Sequence, residues 1–321
     1  MKNLAFVVGI SCMLVGSVQA SSFSRKANGT AAAQSLKLVP GARAVALGEA
    51  YSSLADDALA LYWNPAGLSD MSSAHSVHFM HTLYLAGINF GYAGYAMRLP
   101  AGLGHAGAYI QYLNIGSIDM TDNVGNVTGE FSPSDQTFAL GWARKIGPLP
   151  FGVAGKFISS KIANSASTYA VDFGVRSPWR FMRDKLAFAA TLKNVGPGLK
   201  FHEVRDPLPM ELRVGSNLIV YDNLSGKDIM SEMDRVIVSA DAVFPKDGDT
   251  WLALGVEHSK IMGSPISGRA GFNGRSAQNQ PGFAGIFFGF GVALERLDID
   301  YALAPMGDLG AAHRLSLGFD F

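Results

Sequence analysis

Ten charged residues recur at alternate positions along segments in which apolar and small or polar side chains alternate. Successive side chains of a β-strand point to opposite faces, so these ten share one face of their segments. Groups of this type could pair with one another and hold a segment of chain in place, or line a ring that selects ions. Their mixed signs favour the first interpretation. The ten are Lys156, Asp172, Arg176, Arg213, Asp241, Glu257, Arg269, Asp298, Asp300 and Arg314.

A glycine pattern, Gly102-x-Gly104-x-x-Gly107, matches the dinucleotide-binding fingerprint letter for letter. That site requires a strand, a turn and then a helix, whereas strand-like residues follow Gly107. The glycines therefore predict space for a plug segment and not a nucleotide site.

Three histidines, His75, His78 and His81, are spaced by three. On a helix they could converge on a metal ion, but on a strand they alternate between faces. The sequence also lacks the G-x-S-x-G, H-E-x-x-H and P-loop patterns. We therefore expect no catalytic activity, cofactor or metal site, although a hydrolase could still assemble Ser, His and an acid from separate strands.

The elements that position these residues are fourteen candidate strands, several of them about 9 to 11 residues long, as a tilted transmembrane strand requires. Short connections alternate with longer ones, as in barrels with short periplasmic turns and long external loops, although the long connection 222–235 falls on the short-turn side. The predicted strands cover residues 75–82, 88–97, 104–113, 136–144, 151–160, 169–177, 186–194, 211–220, 236–244, 251–259, 266–273, 284–292, 297–303 and 313–321.

Composition favours a membrane barrel over the alternative, a secreted β-sandwich. Hydrophobic residues make up 48% of the chain and charged residues only 16%, so apolar side chains must face outward. Only a closed barrel satisfies every backbone group of a sheet in lipid. The 26 basic and 26 acidic residues balance, which argues against nucleic acid as a partner. The predicted fold class is all-β: a transmembrane antiparallel barrel in the cell outer membrane, with outer-membrane lipid around it.

Four segments divide the chain. Residues 1–20 have the charged start, short apolar core and small-residue end of a secretory signal peptide, and they contain the only cysteine, Cys12. Residues 21–40 are predicted to be a flexible leader, 41–72 an N-terminal helical plug segment, and 73–321 the barrel.

The plug segment carries helix-start signals. Asp56 and Asp57 are predicted to cap a short helix, because a carboxylate accepts the free amide hydrogens of a first turn. Asn64 is predicted to cap a second turn with Pro65 at its first position and Gly67 at its end. The second turn is therefore expected to be a compact corner.

The C-terminal strand ends with apolar residues on one face and an aromatic last residue. This ending resembles the signal that barrels present to the outer-membrane assembly machinery, which we expect to be a partner. The residues are Leu315, Leu317, Phe319 and Phe321.

Several motifs in order resemble the PorV/PorQ family of outer-membrane barrels, relatives of the FadL transporters. They are Gly41-Ala42-Arg43, Ala55-Asp56-Asp57, Tyr62-Trp63-Asn64-Pro65-Ala66-Gly67-Leu68 and, far downstream, Asn194-Val195-Gly196-Pro197-Gly198-Leu199-Lys200-Phe201. One departure is Glu49, where relatives tend to have a second glycine after Gly48.

The resemblance implies a fourteen-strand barrel whose N-terminal segment folds into the lumen. It also implies one of two roles. The first is a docking or shuttle component of type IX-like protein secretion, with secreted cargo proteins or secretion-system components as partners. The alternative is passive transport of long-chain fatty acids or other hydrophobic small molecules.

Overall fold

The chain forms a closed barrel of fourteen antiparallel strands, which confirms the predicted fold class. The structure is a computed structural model, and it describes residues 30–84, 87–162, 164–179, 181–201, 203–222, 234–279, 284–307 and 310–321. The predicted signal peptide lies outside these residues. The barrel strands are β1 (His75–Leu83), β2 (Asn89–Arg98), β3 (His105–Asn114), β6 (Ser134–Ile146), β7 (Leu149–Lys161), β8 (Ser165–Arg176), β9 (Leu186–Val195), β12 (Glu211–Asp222), β13 (Arg235–Pro245), β14 (Trp251–Ser259), β15 (Ile266–Asn273), β16 (Ile286–Leu294), β17 (Leu297–Pro305) and β18 (Ala311–Asp320).

Two small hairpins and several short helices complete the described structure. The hairpins are β4 (Ile118–Thr121) with β5 (Val127–Phe131), and β10 (Leu199–Lys200) with β11 (Arg205–Asp206). The α-helices are Ala42–Ala46, Ala60–Trp63, Phe181–Asp184 and Gly274–Asn279, and the 3-10 helices are Gln34–Lys37, Pro65–Asp70, Pro100–Gly102 and Ile261–Gly263. No helix among the described residues has the length and apolar character needed to span a membrane.

Each strand alternates between the two faces of the wall. In β3, Tyr109 and Gln111 are buried toward the lumen, whereas Ile110 and Tyr112 are exposed on the outside. Apolar side chains on the outside and polar ones within are the pattern of a barrel in lipid. The same alternation places His78 inward and buried, and His81 outward.

The barrel closes where the first strand pairs with the last, with Val77 opposite Phe319 and Thr82 opposite Arg314. On β18 and the residue that follows it, the four residues predicted as an assembly signal are all exposed. They are Leu315, Leu317, Phe319 and Phe321.

The two ends of the barrel differ. The short-turn rim carries connections such as 147–148 and 295–296, together with Phe321. The loop rim carries the two longest connections, 115–133 and 196–210. Most of the connection between β12 and β13 lies outside the described residues.

The N-terminal segment fills the lumen from one rim to the other. At the loop rim, the Ala32 amide donates a hydrogen bond to the Pro207 carbonyl at 2.9 Å. Near the short-turn rim, Arg98 Nη2 donates to the Ser72 carbonyl at 2.8 Å. We call residues 30–72 the plug. It begins earlier than Gly41, because the described part of the predicted leader packs inside the barrel; Leu36, for example, is buried.

Candidate functional site

A chain of charges ties the plug to three strands of the wall. Arg43 donates through Nε and Nη2 to the two carboxylate oxygens of Glu257, each at 2.7 Å. Glu257 also accepts from Arg269 Nε at 2.5 Å, and Arg269 Nη1 donates to Asp300 Oδ1 at 2.6 Å. Because Glu257 is only 1% exposed, its charge depends on both arginines for compensation.

A second group of charges holds the plug through its backbone. Arg213 Nη1 donates to the Glu49 carbonyl at 2.6 Å and contacts Asp241 Oδ2 at 3.3 Å. The same Asp241 oxygen accepts from the Ser52 amide at 3.1 Å. These bonds occupy backbone groups that a short, irregular segment would otherwise bury without partners.

Two more arginines of the wall donate hydrogen bonds to plug carbonyls near the rims. Arg176 donates to the carbonyls of Ser53 and Ala55. Arg314 Nη1 donates to the Val39 carbonyl at 2.8 Å. Guanidinium groups suit this role because they present several donors in a fixed plane.

The remaining predicted lumen charges do not bind the plug in this way. Lys156 pairs with Asp172 at 2.5 Å and also donates to Asn194 Oδ1 at 2.8 Å, so this pair joins wall strands β7, β8 and β9. Asp298 makes no ion pair within the part of the chain that the structure describes, and it lines a cavity beside the plug.

Glycines of the wall let the plug backbone approach closely. A Cβ built on Gly152 of β7 would lie 2.2 Å from the Pro65 carbonyl carbon, and one on Gly271 of β15 would lie 2.0 Å from the Gly48 amide nitrogen. A Cβ on Gly107 would meet Leu61 at 2.7 Å. Of the three motif glycines predicted to make room for a plug, only Gly107 faces it. A Cβ on Gly104 would lie 2.2 Å from the Ala143 carbonyl oxygen of the wall, and one on Gly102 would have no neighbour within 4 Å.

The corner formed by Asn64, Pro65, Ala66 and Gly67 packs against β7 and β8. The Ala66 amide donates to Asn64 Oδ1 at 3.1 Å, which caps the 3-10 helix with Pro65 at its first position. That helix continues to Asp70, so the prediction that Gly67 ends the turn is wrong. A Cβ on Gly67 would lie 2.0 Å from the Ala55 carbonyl oxygen, so this glycine instead permits a close approach inside the plug.

Of the two predicted helix-capping carboxylates, one caps. Asp57 Oδ1 accepts from the Leu59 amide at 2.8 Å, whereas Asp56 is exposed. Burial of Asp57, together with repulsion from the Asp56 carboxylate, raises the pKa of Asp57 to about 7. The plug therefore carries a carboxylate that titrates near neutral pH.

Glu49, the departure from the family pattern, takes a glycine-like conformation. Its φ is 73°, in the left-handed region that is costly for most side chains. Two contacts fix it there, since its carbonyl accepts from Arg213 and its Oε1 lies 3.3 Å from Arg275 Nη2. The backbone of Gly48 therefore packs closely against the wall backbone at Phe272 although no second glycine follows it.

The sequence matches one family model, described as the type IX secretion system protein PorV, over residues 21–242, which is 222 of its 321 residues. The chain belongs to the PorV family. This PorV-family barrel resides in the outer membrane. Because such barrels have short periplasmic turns and longer external loops, we expect its short-turn rim to face the periplasm. A search of curated proteins found no sequence match.

Solved structures with the same fold are outer-membrane channels. A deltaS2S3 mutant of the monoaromatic hydrocarbon channel TodX aligns with a TM-score of 0.58 at 13% identity, covering 88% of this chain and 99% of that one. The Pseudomonas putida toluene transporter TodX gives 0.56 at 12% identity, with 87% and 96% covered. The Ralstonia pickettii toluene transporter TbuX gives 0.55 at 12% identity, with 88% and 98% covered. At these identities the likeness supports the fold of the PorV-family chain and nothing about its substrate.

Proposed function

We propose that this PorV-family protein is a non-enzymatic docking component of type IX secretion, which receives exported proteins at the outer face of the outer membrane. Family membership supports the secretion role. The plug supports docking over passage through the lumen, because its contacts with the wall extend from one rim to the other.

The observation that carries the proposal is the hairpin β4–β5, which projects from the loop rim between β3 and β6. Apolar side chains that a soluble surface would normally cover are exposed on it. They are Ile118 at 41%, Met120 at 43%, Val124 at 83% and Val127 at 62%.

The hairpin also has the charge and the edges that suit one class of partner. Its acidic residues are Asp119, Asp122 and Glu130, and the sequence has no Lys or Arg between Arg98 and Arg144. Within the described residues, each of its two strands pairs only with the other, so each has an open edge. An extended segment of an exported protein that carries basic and apolar side chains could add to such an edge.

Replacing the hairpin tests this role cleanly. The barrel pairing ends at Asn114 opposite Ser134, so a short Gly-Ser turn can replace residues 115–133 without disturbing the wall. We expect surface display of exported proteins to fall about tenfold, the loss that roughly 1.4 kcal/mol of binding energy would give. Display would be measured in a deletion strain that carries the variant.

The matched control replaces residues 200–205 of the other loop-rim hairpin. Both variants must reach wild-type abundance in the outer membrane and keep the fast mobility of a folded barrel on unheated gels. Normal display by a folded variant without residues 115–133 would rule out this hairpin as the docking surface.

A second candidate function, passive transport of hydrophobic solutes, has one observation in its favour. An apolar groove of about 310 Å³ lies on the outer face of the wall near the β1–β18 seam, and Phe79, Tyr92, Ile110, Leu315 and Leu317 line it. Deletion of the gene should then abolish fatty-acid uptake. Lost uptake with normal export would favour transport over docking.

A further inference from the structure

A polar cavity of about 170 Å³ lies between the plug and the wall close to the short-turn rim. Arg43, Tyr51 and Asp57 of the plug line one side of it. The wall on the other side comes from β1 and from β14 to β18. The cavity is therefore distinct from the loop-rim hairpin, at the opposite end of the barrel.

Carboxylates outnumber cations in the cavity lining, five to three. Two of the five, Glu257 and Asp300, are already bound to Arg43 and Arg269. Asp57, Asp298 and Asp320 then face a single further cation, Lys260. The eight charged residues are Asp57, Glu257, Asp298, Asp300, Asp320, Arg43, Lys260 and Arg269.

Two uncharged polar groups of the lining are buried with hydrogen-bonding capacity to spare. Tyr51 is fully buried and His78 is 4% exposed. Neither the Tyr51 hydroxyl nor His78 Nε2 has a hydrogen-bond partner among the described residues. Buried polar atoms normally have partners, so these two atoms can bind a polar group that enters the cavity.

The lining also has an apolar part. Leu59, Val292 and Ala293 contribute to it beside the carboxylates. A volume of this size holds about six waters, at roughly 30 Å³ each, or the end of a long unbranched side chain. Metal binding is not favoured, because no group of three or more His, Cys, Asp or Glu in the described chain is placed to hold an ion.

We propose that this cavity binds a primary alkylammonium group that enters from the periplasm. The carboxylates of Asp298 and Asp320 accept hydrogen bonds from the ammonium, and the apolar part of the lining contacts its methylene stem. The Tyr51 hydroxyl supplies a further acceptor. The source is either a free amine or a lysine side chain of a periplasmic peptide. The inference does not depend on the docking role.

Calorimetric titration of the purified full-length protein in detergent would test the site. The probes are n-butylammonium for a free amine and N-acetyl-lysine amide for a peptide side chain, with n-butanol as the neutral match. We expect saturable binding of at least one ammonium probe and none of butanol. Asp298→Asn should weaken that binding about tenfold or more, because it removes a charged hydrogen-bond acceptor.

The control is Asp206→Asn, which changes an exposed carboxylate at the other rim and should leave the affinity as in the wild type. Tyr51→Phe, which removes only the hydroxyl, should weaken binding by a smaller factor. Unheated gels would verify that every variant is folded. If no ammonium probe saturates, if butanol binds equally well, or if folded Asp298→Asn binds as tightly as the wild type, the assignment is wrong.

Discussion

The plug and the β4–β5 hairpin are the two longest described segments that lie outside the wall strands, and they are built in opposite ways. The plug buries its apolar residues, and its backbone forms hydrogen bonds with charged side chains of the wall, such as Arg213 and Asp241. The hairpin leaves Val124 exposed and pairs with nothing but itself among the described residues. The comparison suggests that the plug serves stability and that the hairpin serves recognition, so equivalent substitutions should have opposite consequences in the two regions.

The largest difference is expected when the same change, Glu to Gln, is made in each region. Glu257→Gln removes the carboxylate charge between two arginines and should destabilise the plug by about 3 kcal/mol, the range for breaking a buried ion pair. Glu130→Gln changes an exposed hairpin residue and should cost less than about 0.5 kcal/mol. Hydrogen-exchange protection of the plug amides should fall in Glu257→Gln and stay at the wild-type level in Glu130→Gln. Equal protection in the two variants would contradict the comparison.

A smaller difference is expected from Gly to Ala. In Gly152→Ala the new methyl group meets plug backbone at Pro65 and Ala66, which cannot move without unseating the corner, at a cost of about 1 to 3 kcal/mol. In Gly129→Ala the nearest atom is the flexible end of Met120, at 2.9 Å. The temperature at which the folded band disappears on gels should fall for the first variant only.

These predictions concern parts of the molecule that differ in how well the sequence indicates them. The wall strands agree with the sequence prediction to within a few residues at their ends, because a period of two persists when one face meets lipid and the other the lumen. For the strand predicted at 169–177, the structure has β8 beginning at Ser165, where small polar residues hide the pattern.

The plug was less accessible to sequence reasoning because its stability comes from distant residues. Residues 30–40 contain no aromatic side chain and resemble a linker. Gln111 of β3 nevertheless donates to the Ser35 and Leu38 carbonyls. No local pattern predicts such a partner. The hairpin likewise falls between the strands predicted at 104–113 and 136–144, since its two strands are short and only their pairing with each other defines them.

A change of pH should also separate the two regions. The pKa of Asp57 is raised in the folded plug, so the folded state keeps a proton that the unfolded segment loses between about pH 4 and 7. Plug stability should therefore fall as pH rises through that window. Protection factors of the plug amides, corrected for intrinsic exchange, should drop about a hundredfold from pH 5 to pH 8, because the pKa of Asp57 in the folded plug lies about two pH units above the start of that range.

Asp57→Asn keeps a side-chain oxygen that can accept from the Leu59 amide but removes the titration, so most of that drop should disappear. The exposed hairpin residue Asp122 offers the matched control, Asp122→Asn. A pH dependence of plug protection that is unchanged in Asp57→Asn would show that another group is responsible.

The smallest effect on stability is expected at the hairpin surface. Val124→Ser alters a side chain that is 83% exposed, so the free energy of unfolding should change by no more than about 0.5 kcal/mol. The temperature at which the folded band disappears on gels should therefore hardly change. Export should nevertheless decrease if this surface binds exported proteins. A variant with lower stability and normal export would invert the comparison between the two regions.

The path of the plug has a consequence for biogenesis. Ala32 lies at one mouth of the barrel and Ser72 at the other, and the chain continues directly into β1, one side of the seam. A segment threaded through a finished cylinder would have to be pulled through it, whereas sheet formation around the segment needs no such passage. We therefore expect the pairing of β1 with β18 to be the final step of assembly, with the sheet closing around a plug that is already in place.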